Sequence, residues 1–202
     1  MDGVSFNTSK GVMPSSTLQQ EVDFTRISGA TLRETALTGP GPQATAATIE
    51  LSKRVGAVPQ SVEFRQLTTL QETFDKSLPP ESDFENFSEL LLAYSRGQVT
   101  NPQEKTLVES YIKELQDLGL DSAIAEWQRN ADALRDVEQY SKNAQARKVA
   151  AEGLAEWDAL KAKYDFIEPL MEMSRKTQGR FTPIDQPMVA KEERPGDAKV
   201  LA

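Results

Sequence analysis

The sequence predicts an all-α protein: a helical bundle or a set of helical hairpins around one long helical stretch, flanked by extended or disordered N- and C-terminal arms. Three observations predict it. Between Asp121 and Glu168 there is no proline, one glycine, and a dense supply of Ala, Leu, Glu, Lys, Arg and Gln, residues that lose little side-chain freedom in a helix. Upstream, two successive segments open on capping residues and carry apolar side chains at spacings of three and four. Both ends of the chain lack any sustained helical or strand period.

Taken in order, residues 1–43 read as a flexible or partner-ordered N-terminal arm. They are rich in Ser, Thr and Gly, with single hydrophobes such as Phe6, Val12, Leu18, Phe24, Ile27 and Leu32. Val22 to Ile27 suits a short strand if a partner supplies an edge, which makes Phe24 and Ile27 candidate partner contacts. Gly39-Pro40-Gly41-Pro42 reads as a linker.

Residues 44–80 carry two short helices. The first offers Ala44, Ala47, Ile49, Leu51 and Val55 and stops at Gly56 and Pro59. In the second, Ser61 is the N-cap, Phe64, Leu67, Leu70 and Phe74 lie on one stripe, and Leu78-Pro79-Pro80 closes it.

Residues 81–178 form the helical body. Ser82-Asp83-Phe84-Glu85 has the form of a capping box, followed by Phe84, Phe87, Leu91 and Tyr94 at helical spacing and by Gly97 just past the end. Next, Asn101 caps, Pro102 takes the first helical position, and Glu104 completes a second box. Leu107, Val108, Tyr111, Ile112 and Leu115 make the buried face, and Gly119 terminates. The short connection makes these two helices an antiparallel hairpin.

Asp121 then caps the long stretch, which carries two seams. Ile124, Trp127, Ala131 and Leu134 form the first; Trp157, Leu160, Tyr164 and Ile167 form the second. Counting sevens from Trp127 gives Leu134, Ser141, Lys148 and Ala155, so the seams are out of phase and no single heptad coiled coil runs through. The primary reading is one continuous helix, about 70 Å long at ~1.5 Å per residue, because Ser141-Lys142-Asn143 contains neither Gly nor Pro. The alternative is a hairpin about Lys142, which would set Trp127 against Trp157 and complete the 81–119 pair into a four-helix body. Pro169 ends or kinks the stretch. Residues 179–202 read as a flexible C-terminal tail with Pro183, Pro187 and Pro195, in which Phe181 and Ile184 are candidate docking residues.

Composition narrows the chemistry. The chain has no cysteine and no histidine, so imidazole and thiolate catalysis and sulfur-based zinc sites are excluded. A net charge of −8 with no cluster of Lys and Arg argues against direct nucleic-acid binding. No apolar run approaches the roughly 20 residues that span a bilayer, and Met1 to Ser16 lacks the layout of a cleaved signal peptide. The expectation is a soluble protein, cytoplasmic or within an assembled particle.

The acids Asp75, Glu81, Asp83 and Glu85 bracket the Pro79-Pro80 turn, yet their spacing matches no metal loop, and acids near a helix start already favour its dipole. No catalytic, cofactor or metal residues are assigned. Trp127 and Trp157 are each a large aromatic on a thin stripe and suit either an internal seam or a partner contact. The sequence therefore points to a non-enzymatic structural, scaffold or adaptor subunit that binds other protein subunits as a homo- or hetero-oligomer, of the kind found in a phage-like virion. An unsigned component or substrate of a secretion apparatus is one alternative. A small helical enzyme or metal-binding module working through carboxylates is the other.

Overall fold

The structure, a computed structural model, describes residues 22–186. Among them the chain is all-α, with no strand. The helices are α1 (Gly29–Thr38), α2 (Gly41–Gly56), α3 (Val62–Lys76), α4 (Phe87–Ser95), α5 (Pro102–Asp117), α6 (Leu120–Tyr140), α7 (Ala144–Lys163) and α8 (Ile167–Lys176), with 3-10 turns at Phe24–Arg26 and Val58–Gln60. Helices α1, α2, α6 and α7 pack on one another as a four-helix body, and α6 also touches α3, α5 and α8. The resulting core is one continuous cluster running from Leu32 to Phe181.

The long stretch is a hairpin, which corrects the continuous-rod reading. Helix α6 ends at Tyr140, and Ser141 adopts an extended conformation (φ −65°, ψ 135°). Asn143 then starts α7 as its N-cap: Oδ1 accepts from Gln145 N at 2.9 Å and Ala146 N at 3.2 Å. A strong Asn cap thus breaks the helix without Gly or Pro. Arg147 Nη1 donates to the Ser141 carbonyl at 2.7 Å and satisfies one of the last acceptors of α6.

The partner of this hairpin is also not the expected one. It pairs with α1, which the sequence assigns to the flexible arm, and with α2, which it reads as the first of two short helices. Only Leu32 and Ala36 of α1 are buried, too few to register as a period. Ser28 caps the helix, accepting from Thr31 N at 3.2 Å. The expected linker is a tight corner: Gly39 closes α1, Pro40 precedes α2, and Pro42 sits at the second position of α2, where no N–H is needed. Phe24–Arg26 is a 3-10 turn rather than a strand. The remainder of the expected arms, residues 1–21 and 187–202, lies outside the described residues.

Small side chains explain how the four helices approach so closely. Helix α7 buries Ala146, Ala150 and Gly153 against α2, which buries Ala44, Ala47 and Thr48. A Cβ on Gly153 would lie 2.6 Å from Ser52 Oγ and 3.2 Å from Leu134 Cδ1. The alanine content that reads as a thin seam is therefore the interior of a close-packed bundle.

Several caps sit where the sequence places them. Ser61 Oγ accepts from Phe64 N at 3.1 Å, Asn101 Oδ1 accepts from Gln103 N at 2.9 Å, and Gly97 and Gly119 both have φ 69°. Others shift. Helix α4 starts four residues later than expected, capped by Asn86 accepting from Glu89 N, while Glu89 accepts from Glu85 N at 2.9 Å. Glu104 does not reach back to Asn101; it is buried and accepts from Ser82 Oγ at 2.6 Å. Asp121 is not the cap of α6, which begins at Leu120 directly after left-handed Gly119. Pro169 is the third residue of α8, inside its first turn, so it begins that helix instead of ending α7.

Candidate functional site

Nearly every large apolar side chain among the described residues is in the core, so the exceptions are informative. Val62 is 56% exposed and Leu118 is 47% exposed. Both line a surface groove of about 380 Å³ together with Arg65, Gln66, Thr69, Leu70 and Thr73. Helix α3 supplies one wall because its inward stripe is taken by Phe64, Leu67, Gln71 and Phe74, leaving the opposite face outward. Leu118 is brought across from the corner between α5 and α6, where left-handed Gly119 turns the chain. Val22 and Ile49, at 46% and 39% exposure, line a second, more polar concavity with Asp23, Glu50 and Lys53.

The residues that the sequence singles out for partner binding are distributed differently. Trp157 and Phe181 are 1% and 0% exposed; both are core side chains of this chain and present no surface to a partner. Trp127 is half-buried and lies 6.1 Å from Phe64, which also meets Tyr164 edge-on at 5.0 Å and Phe166 at 5.9 Å. It joins that aromatic cluster rather than Trp157. Phe24 and Ile27 are half-buried against the core, and their segment is held by Arg54, whose Nη2 donates to the carbonyls of Phe24, Thr25 and Ile27 at 3.2, 3.2 and 2.7 Å. Ile184 packs on the core through the segment that Phe181 anchors. Sequence reasoning missed Val62 and Leu118. An isolated valine at a helix start and a leucine before a glycine carry no periodic signal, and only the fold sets them side by side.

Most polar groups inside the body are consumed by structure, the exception being the buried Asn130 Oδ1, which has no hydrogen-bond partner. Tyr111 Oη donates to Gln71 Oε1 at 3.0 Å, Gln71 Nε2 donates to Ser88 Oγ at 3.2 Å, and Ser88 Oγ donates to Asp165 Oδ1 at 2.8 Å. The relay crosses from α5 through α3 and α4 to the turn before α8. Burial pushes the Tyr111 phenol far above its usual range, so it stays protonated and acts as a donor. Asp75 accepts from Phe87 N at 2.7 Å, which gives one of the acids near Pro79 a purely structural task. Among the described residues, no group of three or more acids is placed to hold a metal ion, and no helix is long and apolar enough to cross a membrane.

Two ion-pair networks fasten α8. Arg96 donates to both carboxylate oxygens of Glu172, at 3.3 and 3.0 Å, and Ser95 Oγ adds a bond at 3.0 Å. The Arg96 hydrogen bond holds the Glu172 carboxyl below its usual range despite partial desolvation. Asp132 receives Arg175, Arg135 and Gln128. Burial raises its pKa, but the bonds from Arg175 and Gln128 and the nearby positive charges outweigh that and leave it lowered.

Comparison of the chain with protein-family models, with curated proteins and with solved structures finds no match.

Proposed function

We propose that this protein is a non-enzymatic assembly component, a structural or scaffolding subunit that holds a protein partner in the groove between α3 and the α5–α6 corner. The supporting observation is the adjacency of Val62 and Leu118, two large apolar side chains left about half exposed beside Leu70 in one concavity. A concavity lined by Val62, Leu70 and Leu118 together with Arg65, Gln66, Thr69 and Thr73 suits the apolar face of a helix. Burying those apolar side chains stabilises a complex without any change in the body.

The test is a double substitution, Val62→Asp with Leu118→Asp, in the full chain. Both positions are exposed, so helicity and melting temperature stay near those of the wild type. The stoichiometric complex that co-purifies with the wild-type chain at native concentration is lost. The reading is abandoned if that complex survives the double substitution, or if the wild-type chain has no stoichiometric partner.

A further inference from the structure

One side chain holds the first turn of α1, and the 3-10 turn before it, to the other helices. Among the described residues, every hydrogen bond from 22–32 to a helix other than α1 comes from Arg54, whose Nη2 reaches the carbonyls of Phe24, Thr25 and Ile27. Glu50 aims that guanidinium: its Oε1 accepts from Arg54 Nε at 3.1 Å, and the Arg54 and Glu50 side chains are only 19% and 14% exposed. The remaining polar contacts of the segment are local, Thr25 binding Asp23 and Ser28 binding Thr31. Leu32 is its one buried side chain; Phe24 and Ile27 are half-buried. The rest of α1 is fastened separately, by Arg33 Nε donating to Asp136 Oδ2 at 2.7 Å and by Ser141 Oγ donating to the Ala36 carbonyl at 3.2 Å.

Beneath this segment lies a defect in the packing of α6. Asn130 is 3% exposed, and its Oδ1 has no hydrogen-bond partner. Gly29, the first residue of α1, covers that oxygen so closely that a Cβ on it would stand 2.6 Å away. A buried acceptor left unpaired carries its full desolvation penalty, which disappears once water reaches it. Asn130 therefore disfavours the closed position that Arg54 and Leu32 favour. A segment with so few buried groups opens at a lower free energy than helices packed on all sides.

We infer that residues 22–32 form a lid that lifts from α2 and α6 while those helices, α7 and the remainder of α1 stay folded. Arg54 is its catch, and the Asn130 carbonyl keeps the closed state from being locked. Opening breaks the three Arg54 bonds and unwinds the turn that Ser28 caps. It uncovers an amide acceptor beside the socket left by Leu32, a face of α6 that is accessible only in the open state.

Two measurements on the full chain test it. In native-state hydrogen exchange, the amides of Thr31 and Leu32, which donate to Ser28 Oγ and the Ser28 carbonyl, exchange about 100-fold or more faster than that of Leu134 in α6. Gly153→Val, which loosens the packing of α7 on α2, speeds the Leu134 amide and leaves Thr31 and Leu32 unchanged, because the lid opens without disturbing that contact. The second measurement separates lifting from fraying of the helix end. The native chain has no cysteine, so thiol labelling of Asn130→Cys reports uncovering of that position, and Val108→Cys, at a fully buried site on α5, reports unfolding of the body. Asn130→Cys is labelled about 100-fold or more faster than Val108→Cys, and adding Arg54→Met speeds it a further ten-fold or about that. The inference is overturned if Thr31 and Leu32 exchange no faster than Leu134, if natively helical Asn130→Cys is labelled no faster than Val108→Cys, or if Arg54→Met leaves that labelling unchanged.

Discussion

Asn143 Nδ2 donates to the carbonyl oxygen of Gly41 at 2.7 Å, joining the turn of the α6–α7 hairpin to the first residue of α2 across 102 positions of sequence. The same side chain caps α7 through its oxygen. Beside it, Ser141 Oγ donates to the Ala36 carbonyl at 3.2 Å. One short turn therefore both reverses the chain and fixes the corner between α1 and α2 on it.

Replacing Asn143 with alanine removes the cap and the bond to Gly41 together. The expected loss is about 1–3 kcal/mol, the sum of a typical N-cap and one further hydrogen bond. Denaturant unfolding followed by circular dichroism measures it; a loss under a few tenths of a kcal/mol would show that neither bond matters.

The hairpin itself is tested by distance. Glu126 and Lys163 are exposed, and the native chain has no cysteine, so spin labels at Glu126→Cys and Lys163→Cys report cleanly. A continuous helix would separate them by about 55 Å at ~1.5 Å per residue. The hairpin brings them far closer, and a dipolar distance near the larger value rejects it.

Gly153→Val is expected to destabilise the protein by about 1–3 kcal/mol, because the added side chain meets Ser52 and Leu134 at the tightest point of the bundle. Gly153→Ala, which gains up to ~1 kcal/mol of helix propensity, falls between the variant and wild type. Thermal unfolding of the three proteins orders them; an equal or higher melting temperature for the valine variant would mean that α2 and α7 have room between them.

Gln178→Gly acts in the other direction. Relieving the left-handed φ at the end of α8 is expected to raise stability by up to ~1 kcal/mol, read as a higher denaturant midpoint. A fall in the midpoint would show that the Gln178 side chain contributes more than its backbone costs.

Acid should loosen α8. Glu172 and Asp132 both have lowered carboxyl pKa values in the folded protein. Their contribution is therefore present above the unfolded values, about 4.3 and 3.9, and is lost as pH falls through the lower folded values. Stability between about pH 5 and 3 should fall less steeply in Glu172→Gln than in wild type. Melting curves across that window check it; identical slopes would remove Glu172 from the account.

What the sequence by itself determined was local. Helix content, several starts and stops such as Ser61, Asn101, Gly97 and Gly119, the all-α class and the absence of imidazole and thiol chemistry follow from propensity, caps and composition, since those act over a few residues. The phase break between the seams of Trp127 and Trp157 was also legible there, although its resolution into a hairpin was not, because an Asn cap competes with helix continuation only when Ser141 and Asn143 have Ala36 and Gly41 to bond. Tertiary structure alone decided that Leu32 and Ala36 belong to a helix of the body, that Phe181 is core, and that Val62 and Leu118 share a groove. Each depends on atoms distant in sequence. A helix with two buried residues gains its stability from what covers it, and no window along the chain contains that cover.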